Sequence, residues 1–189
     1  MSIKFRSTLA GLILIISFCS PLKAQKYSIS TDLLDYACLG TMNAEFSCAF
    51  SRHWSLVAGA KYNPFTFRKN DSTDQFQLRQ QSYALGVRFW PWYIWSGWWT
   101  AAKARWQEYN QGGIISRKTT EGNRVGGGLY VGYSHMLTPH LNIEFGIGVW
   151  AGADYYKTYS CQVCGLTVSQ GNRFFILPDD IMISLAYVF

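Results

Sequence analysis

Apolar and polar residues alternate with a period of two along nearly the whole chain beyond residue 25, the repeat of strands that present one face to each of two environments. The alternation predicts eight strands, at about 26–34, 41–50, 54–63, 79–90, 97–109, 124–135, 140–153 and 179–189. Sorting each strand by parity gives two unlike faces. One carries Phe46, Phe50, Leu56, Tyr62, Tyr83, Leu85, Val87, Phe89, Trp98 and Trp106, then Leu129, Val131, Tyr133, Ile143, Phe145, Ile147 and Val149, with almost no charge. The other carries Asp32, Glu45, Lys61, Arg88, Lys103, Arg105 and Glu144 among small residues such as Ser28, Ser47, Gly59, Gly86, Gly128, Gly132, Gly146 and Gly148.

A soluble barrel would invert these faces, with the apolar one inside. Seven charges diluted by glycine are too few for the outside of a soluble barrel. Glycine does suit a crowded lumen. The expected fold is therefore all-β: an eight-stranded antiparallel transmembrane β-barrel with a side-chain-filled lumen. Its four inward cations and three inward anions should form a closed ion-pair network and leave no large channel, since a buried charge must be paired.

Connection lengths give a second test. Membrane barrels of this kind have short turns on the periplasmic side and longer loops outside. The second, fourth and sixth connections are short: Ser51 to His53, Pro91 to Ser96, and Met136 to Pro139. The third, fifth and seventh, 64–78, 110–123 and 154–178, are long, and only the first, about 35–40, breaks the pattern. The last strand places Ile181, Ile183, Leu185, Tyr187 and Phe189 on one face, like the terminal signal of outer-membrane barrels.

The first 24 residues read differently. Lys4 and Arg6 precede a short apolar run from Leu9 to Phe18, and a small residue, Ala24, stands at the expected cleavage point before Gln25. That is the pattern of a signal peptide, leaving residues 25–189 as one barrel domain. Its removal takes away three cations and no acid, so the net charge falls from +6 to +3. The basic balance is thus partly a leader effect, and with no basic cluster among aromatics a nucleic-acid partner is not expected. An aromatic fraction of 17% against 15% charged residues suits a wall that faces lipid, so outer-membrane lipid is the expected partner.

Five of the eight tryptophans lie in Trp90–Trp99, around the fourth connection. At a turn they are expected in an aromatic girdle at the membrane–water boundary, where an indole has one apolar and one hydrogen-bonding side. A short echo, Met42-Asn-Ala-Glu-Phe46 and Leu141-Asn-Ile-Glu-Phe145, sets an inward glutamate beside an outward phenylalanine in two strands.

Catalytic chemistry is sparse. His53, His135 and His140 all fall at or beside short turns, and the inward acids face cations, so structural neutralisation is expected before catalysis. No Ser–His pairing, phosphate loop or four-ligand zinc set can be assembled, and no cofactor is expected. Cys161 and Cys164, spaced C-x-x-C in the seventh connection, are expected as a disulfide in an exported chain. Free or exchange-active thiols and a metal site are the alternatives.

The stretch RHWSLVAGAKYNPFTF (52–67), the loop YSCQVCG (159–165), Asn172-Arg-Phe-Phe175 and the ending ISLAYVF (183–189) resemble a domain-of-unknown-function family of small outer-membrane barrels in Gram-negative bacteria. The resemblance spans nearly the whole mature chain. It implies the fold and an outer-membrane location, and it carries no reaction. The functional expectation is a non-enzymatic barrel of the cell envelope whose long loops meet a surface or envelope partner. A barrel enzyme acting on lipid or peptide, and a narrow pore or small-solute binder, are the alternatives.

Overall fold

The structure is a computed structural model and describes residues 25–68, 75–112, 119–160 and 167–189. The expected signal peptide and the Cys161–Cys164 pair lie outside the described residues. The strands are β1 (Tyr27–Asp32), β2 (Met42–Ala49), β3 (Trp54–Asn63), β4 (Thr66–Arg68), β5 (Gln75–Phe89), β6 (Gly97–Gly112), β7 (Thr119–Thr138), β8 (Leu141–Tyr159) and β9 (Thr167–Val188), with one short helix, α1 (Leu33–Ala37). Apart from β3 and β4, strands adjacent in sequence pair antiparallel; β3 pairs with β5, and β9 returns to β1. The result is a closed eight-stranded barrel with β4 as an extra strand on the edge of β5.

Local chemistry explains where the observed elements differ from the predicted ones. The strand predicted to reach residue 34 stops at Asp32, whose carboxylate accepts from Leu34 N at 3.0 Å and caps α1. Pro64 has no N–H to give, so β3 breaks there and resumes as β4. The Asn63 side chain accepts from Phe65 N at 3.0 Å across that break. Among the described residues the three long connections are largely strand: β7, β8 and β9 run 20, 19 and 22 residues, whereas β1 and β2 have only 6 and 8. The barrel wall is tall on one side and low on the other.

Parity sorts the side chains as expected. Leu56, Tyr83, Leu85, Leu129, Phe145, Ile147 and Val149 are exposed on the outer surface, and Arg88, Lys103 and Glu144 are buried inside. The end with the short turns, here the turn end, also gathers residue 25 and Phe189, where Tyr27 N and Lys26 N donate to the Phe189 carbonyl. The opposite, loop end carries α1 and the tall strands.

Candidate functional site

Three layers fill the barrel. At the turn end the segment after β5 folds back inside. Trp90, Trp95 and Trp99 are 0, 3 and 0% exposed, and the Trp90 ring lies 5.7 Å from that of Trp95 and 6.4 Å from that of Trp99. Trp90 Nε1 donates to Ser55 Oγ at 3.2 Å and Trp95 Nε1 to the Gln25 carbonyl at 3.1 Å. The Trp95 carbonyl accepts from Asn142 Nδ2 at 2.6 Å and Ser134 Oγ at 3.3 Å. The turn needs left-handed backbone at Trp95 (φ 67°) and Gly97 (φ 80°). This corrects the girdle expectation: of the five tryptophans only Trp92 and Trp98 stand exposed on the outside, and the other three form a plug. Parity with Arg88 and Lys103 was the signal for Trp90 and Trp99, whereas Trp95 lies in the turn, where alternation does not reach.

Glycines make room for the rings. A Cβ on Gly132 would come within 2.3 Å of the Trp99 ring, and one on Gly148 within 2.2 Å of the Tyr130 ring.

Above the plug lies the charge layer. Arg88 donates to Glu45 at 2.6 Å and to Glu144 at 2.9 Å, and Lys103 donates to the other oxygen of Glu45. Both glutamates of the sequence echo thus converge on one arginine. Arg88 also lies over Trp99 at 4.2 Å, Lys103 over Tyr130 at 4.9 Å and Arg105 over Trp150 at 5.2 Å. A ring quadrupole supplements the carboxylates as counter-charge. The remaining void here is ≈ 50 Å³.

Two predicted members sit elsewhere. Asp32 faces inward, but its carboxylate accepts from backbone, Leu34 N and Ile183 N at 3.0 and 3.1 Å. Lys61 pairs at 2.8 Å with Asp35 of α1, a partner parity could not reveal.

The third layer opens at the loop end. Asp154, fully buried, accepts from Tyr109 Oη at 2.8 Å and from Arg173 Nε at 2.9 Å. Arg124 lies 3.9 Å over the Tyr109 ring and Arg173 4.7 Å over Tyr156. Burial, and then the bond to Asp154, push the Tyr109 phenol above its usual range. Beside this cluster lies a cavity of ≈ 800 Å³, lined by six Asn or Gln residues, four tyrosines, two cations (Arg79, Lys157) and two anions (Glu108, Glu121). Sequence reasoning missed it, because most of its lining falls in segments read as loops.

A family model described as "protein of unknown function (DUF3575)" matches residues 10–189. The chain belongs to that family. No curated protein and no solved structure matches it. Membership in DUF3575 brings no activity with it, so the site stands on its own geometry. The family match takes in all three layers, from Trp90 to Arg173. His53 Nδ1 lies 2.9 Å from the Trp90 carbonyl and His140 Nδ1 3.0 Å from the Val188 carbonyl, both at the turn end and away from the cavity. Among the described residues no group of three or more His, Cys, Asp or Glu is placed to hold a metal.

Proposed function

We propose that the protein is a non-enzymatic outer-membrane β-barrel of a Gram-negative envelope. In this reading it is exported on a cleaved signal peptide and set with its turn end in the periplasm. Its loop end faces the cell exterior and meets a surface or envelope partner. One observation carries this reading: every barrel strand bears large apolar side chains left exposed on the outer wall, among them Ile181 at 73%, Leu129 at 72% and Ile147 at 59%. Water-soluble monomers rarely leave a continuous apolar patch beyond a few hundred Å². A barrel closed by pairing of β1 with both β2 and β9 leaves no open sheet edge at that level, as a bilayer requires.

The belt has polar limits. Lys26 and Arg52 lie at its turn-end margin and Arg79, Glu108, Glu121 and Lys157 at its loop-end margin. The interior acids are engaged with Arg88, Lys103, Arg173 and backbone donors, which supports a structural part for them and a binding task for the loop end. Mature protein refolded in detergent should shift in gel mobility on boiling and float with liposomes in a density gradient. A monodisperse sample in buffer without detergent refutes the reading.

A further inference from the structure

We infer that the loop-end cavity is a saccharide site entered sideways over α1, and that its ligand is the sugar headgroup of a glycolipid in the adjoining leaflet. The side entry rests on the membrane orientation proposed above.

The shape comes from the uneven wall. The cavity's lining runs from β3 through β9 and includes no residue of β1 or β2. β1 pairs with β9 only from Ser184 to Val188. From Thr167 to Met182 the corresponding edge of β9 has no strand partner among the described residues. The cavity is therefore a half-pipe whose open side stands above α1. The sill is apolar: Leu33 and Tyr36 of α1 and Phe65, near Gly40, are exposed, as are Phe174 and Ile176 on the unpaired length of β9. A polar chamber over a greasy sill matches a molecule with a hydroxylated head and acyl tails.

The lining selects the head. An amide both donates and accepts, as a sugar hydroxyl does; of the six amides in the lining, Asn63 and Gln80 face inward, whereas Gln81 turns to Tyr83 Oη on the outer wall at 2.8 Å. Tyr156, half-buried and facing inward, supplies flat apolar surface with a polar tip, suited to the C–H face of a pyranose; Tyr109 is buried under Arg124, and Tyr62 and Tyr155 stand on the outer wall. The charges at the mouth balance, and Glu121 is already engaged by Tyr159 Oη at 2.5 Å. That disfavours a phosphate cluster as the recognised element. A volume of ≈ 800 Å³ has room for an oligosaccharide, within the range of about 300–1,000 Å³ usual for ligand sites.

The test uses the mature chain in nanodiscs, with three probes: intact lipopolysaccharide, its delipidated core oligosaccharide, and inorganic phosphate. Lipopolysaccharide should bind, the oligosaccharide should compete, and phosphate at equal concentration should not. Tyr156→Ala should weaken binding about tenfold or more, as loss of an aromatic anchor does, with Tyr156→Phe close to wild type. No binding of either sugar-bearing probe by protein that floats with liposomes overturns the site. Phosphate competing as well as the oligosaccharide overturns the saccharide assignment. Oligosaccharide binding without lipopolysaccharide binding overturns the side entry. Protein that fails to float refutes the membrane reading instead, so the two failures are distinguishable.

Discussion

Arg88 holds Glu45 at 2.6 Å and Glu144 at 2.9 Å while lying over Trp99 at 4.2 Å, with its own side chain only 3% exposed. Removing one member of such a buried group leaves the others as uncompensated charge, which costs about 3–5 kcal/mol. Arg88→Met should lower unfolding stability by that amount in micelles, read as a shift of the urea midpoint of tryptophan fluorescence. Adding Glu45→Gln and Glu144→Gln should return much of the loss, because neutral amides no longer need the cation. At the loop end, above the apolar belt, Tyr109 has a raised pKa through burial and its bond to Asp154. Its contribution to stability is full below the ordinary tyrosine value of about 10 and fades as pH rises through the raised one. A phenol titrating late in near-ultraviolet absorbance should disappear in Tyr109→Phe. Parity revealed which of these residues point inward. It could not name their partners, so Asp32 and Lys61 were grouped with the lumen glutamates although α1, invisible to a period-two reading, engages both.

The turn between β5 and β6 shows how an element can be right in position and wrong in direction. Its indoles fit an interfacial belt by composition, yet left-handed backbone at Trp95 and Gly97 turns Trp95 inward between residue 25 and Asn142. Gly97→Ala should cost about 1–2 kcal/mol, the penalty for an L-residue in that conformation, and its Cβ would also stand 3.2 Å from the Trp92 ring. Gly127→Ala is the control: its Cβ meets only the Lys103 carbonyl at 3.9 Å, so the change should stay within about 0.5 kcal/mol. Paired urea titrations of the two variants check this. The last strand was under-read for a related reason. One extra residue on β9 opposite Gly146–Gly148 shifts the alternation near Pro178, so inward Arg173 and Phe175 have odd numbers whereas inward Met182 and Ser184 have even ones. A regular two-residue repeat cannot be followed through a bulge, and half of β9 read as loop.

On the scale of the whole molecule, barrel closure, strand number and the sidedness of the wall were legible, because each depends on alternation and connection length. The unequal wall height was not, because it depends on how far β7, β8 and β9 continue past the belt, through Thr119–Arg124, Asp154–Tyr159 and Thr167–Asn172, where apolar and polar residues do not alternate cleanly. That asymmetry leaves one end open and polar while the other is shut twice. Trp90, Trp95 and Trp99 close the turn end. The layer of Arg88, Lys103, Glu45 and Glu144 closes the middle independently, around a void of ≈ 50 Å³. Solute crossing requires both barriers to fail. Wild-type protein should therefore give no steady conductance in planar bilayers, and Trp95→Ala should give none either despite a loss of about 3–5 kcal/mol from the emptied ring site. Arg88→Ala combined with Trp95→Ala, where it still folds by boiling-dependent gel shift, should be the first variant to admit ions. Steady openings from wild type or from Trp95→Ala alone would mean that the charge layer is not a seal.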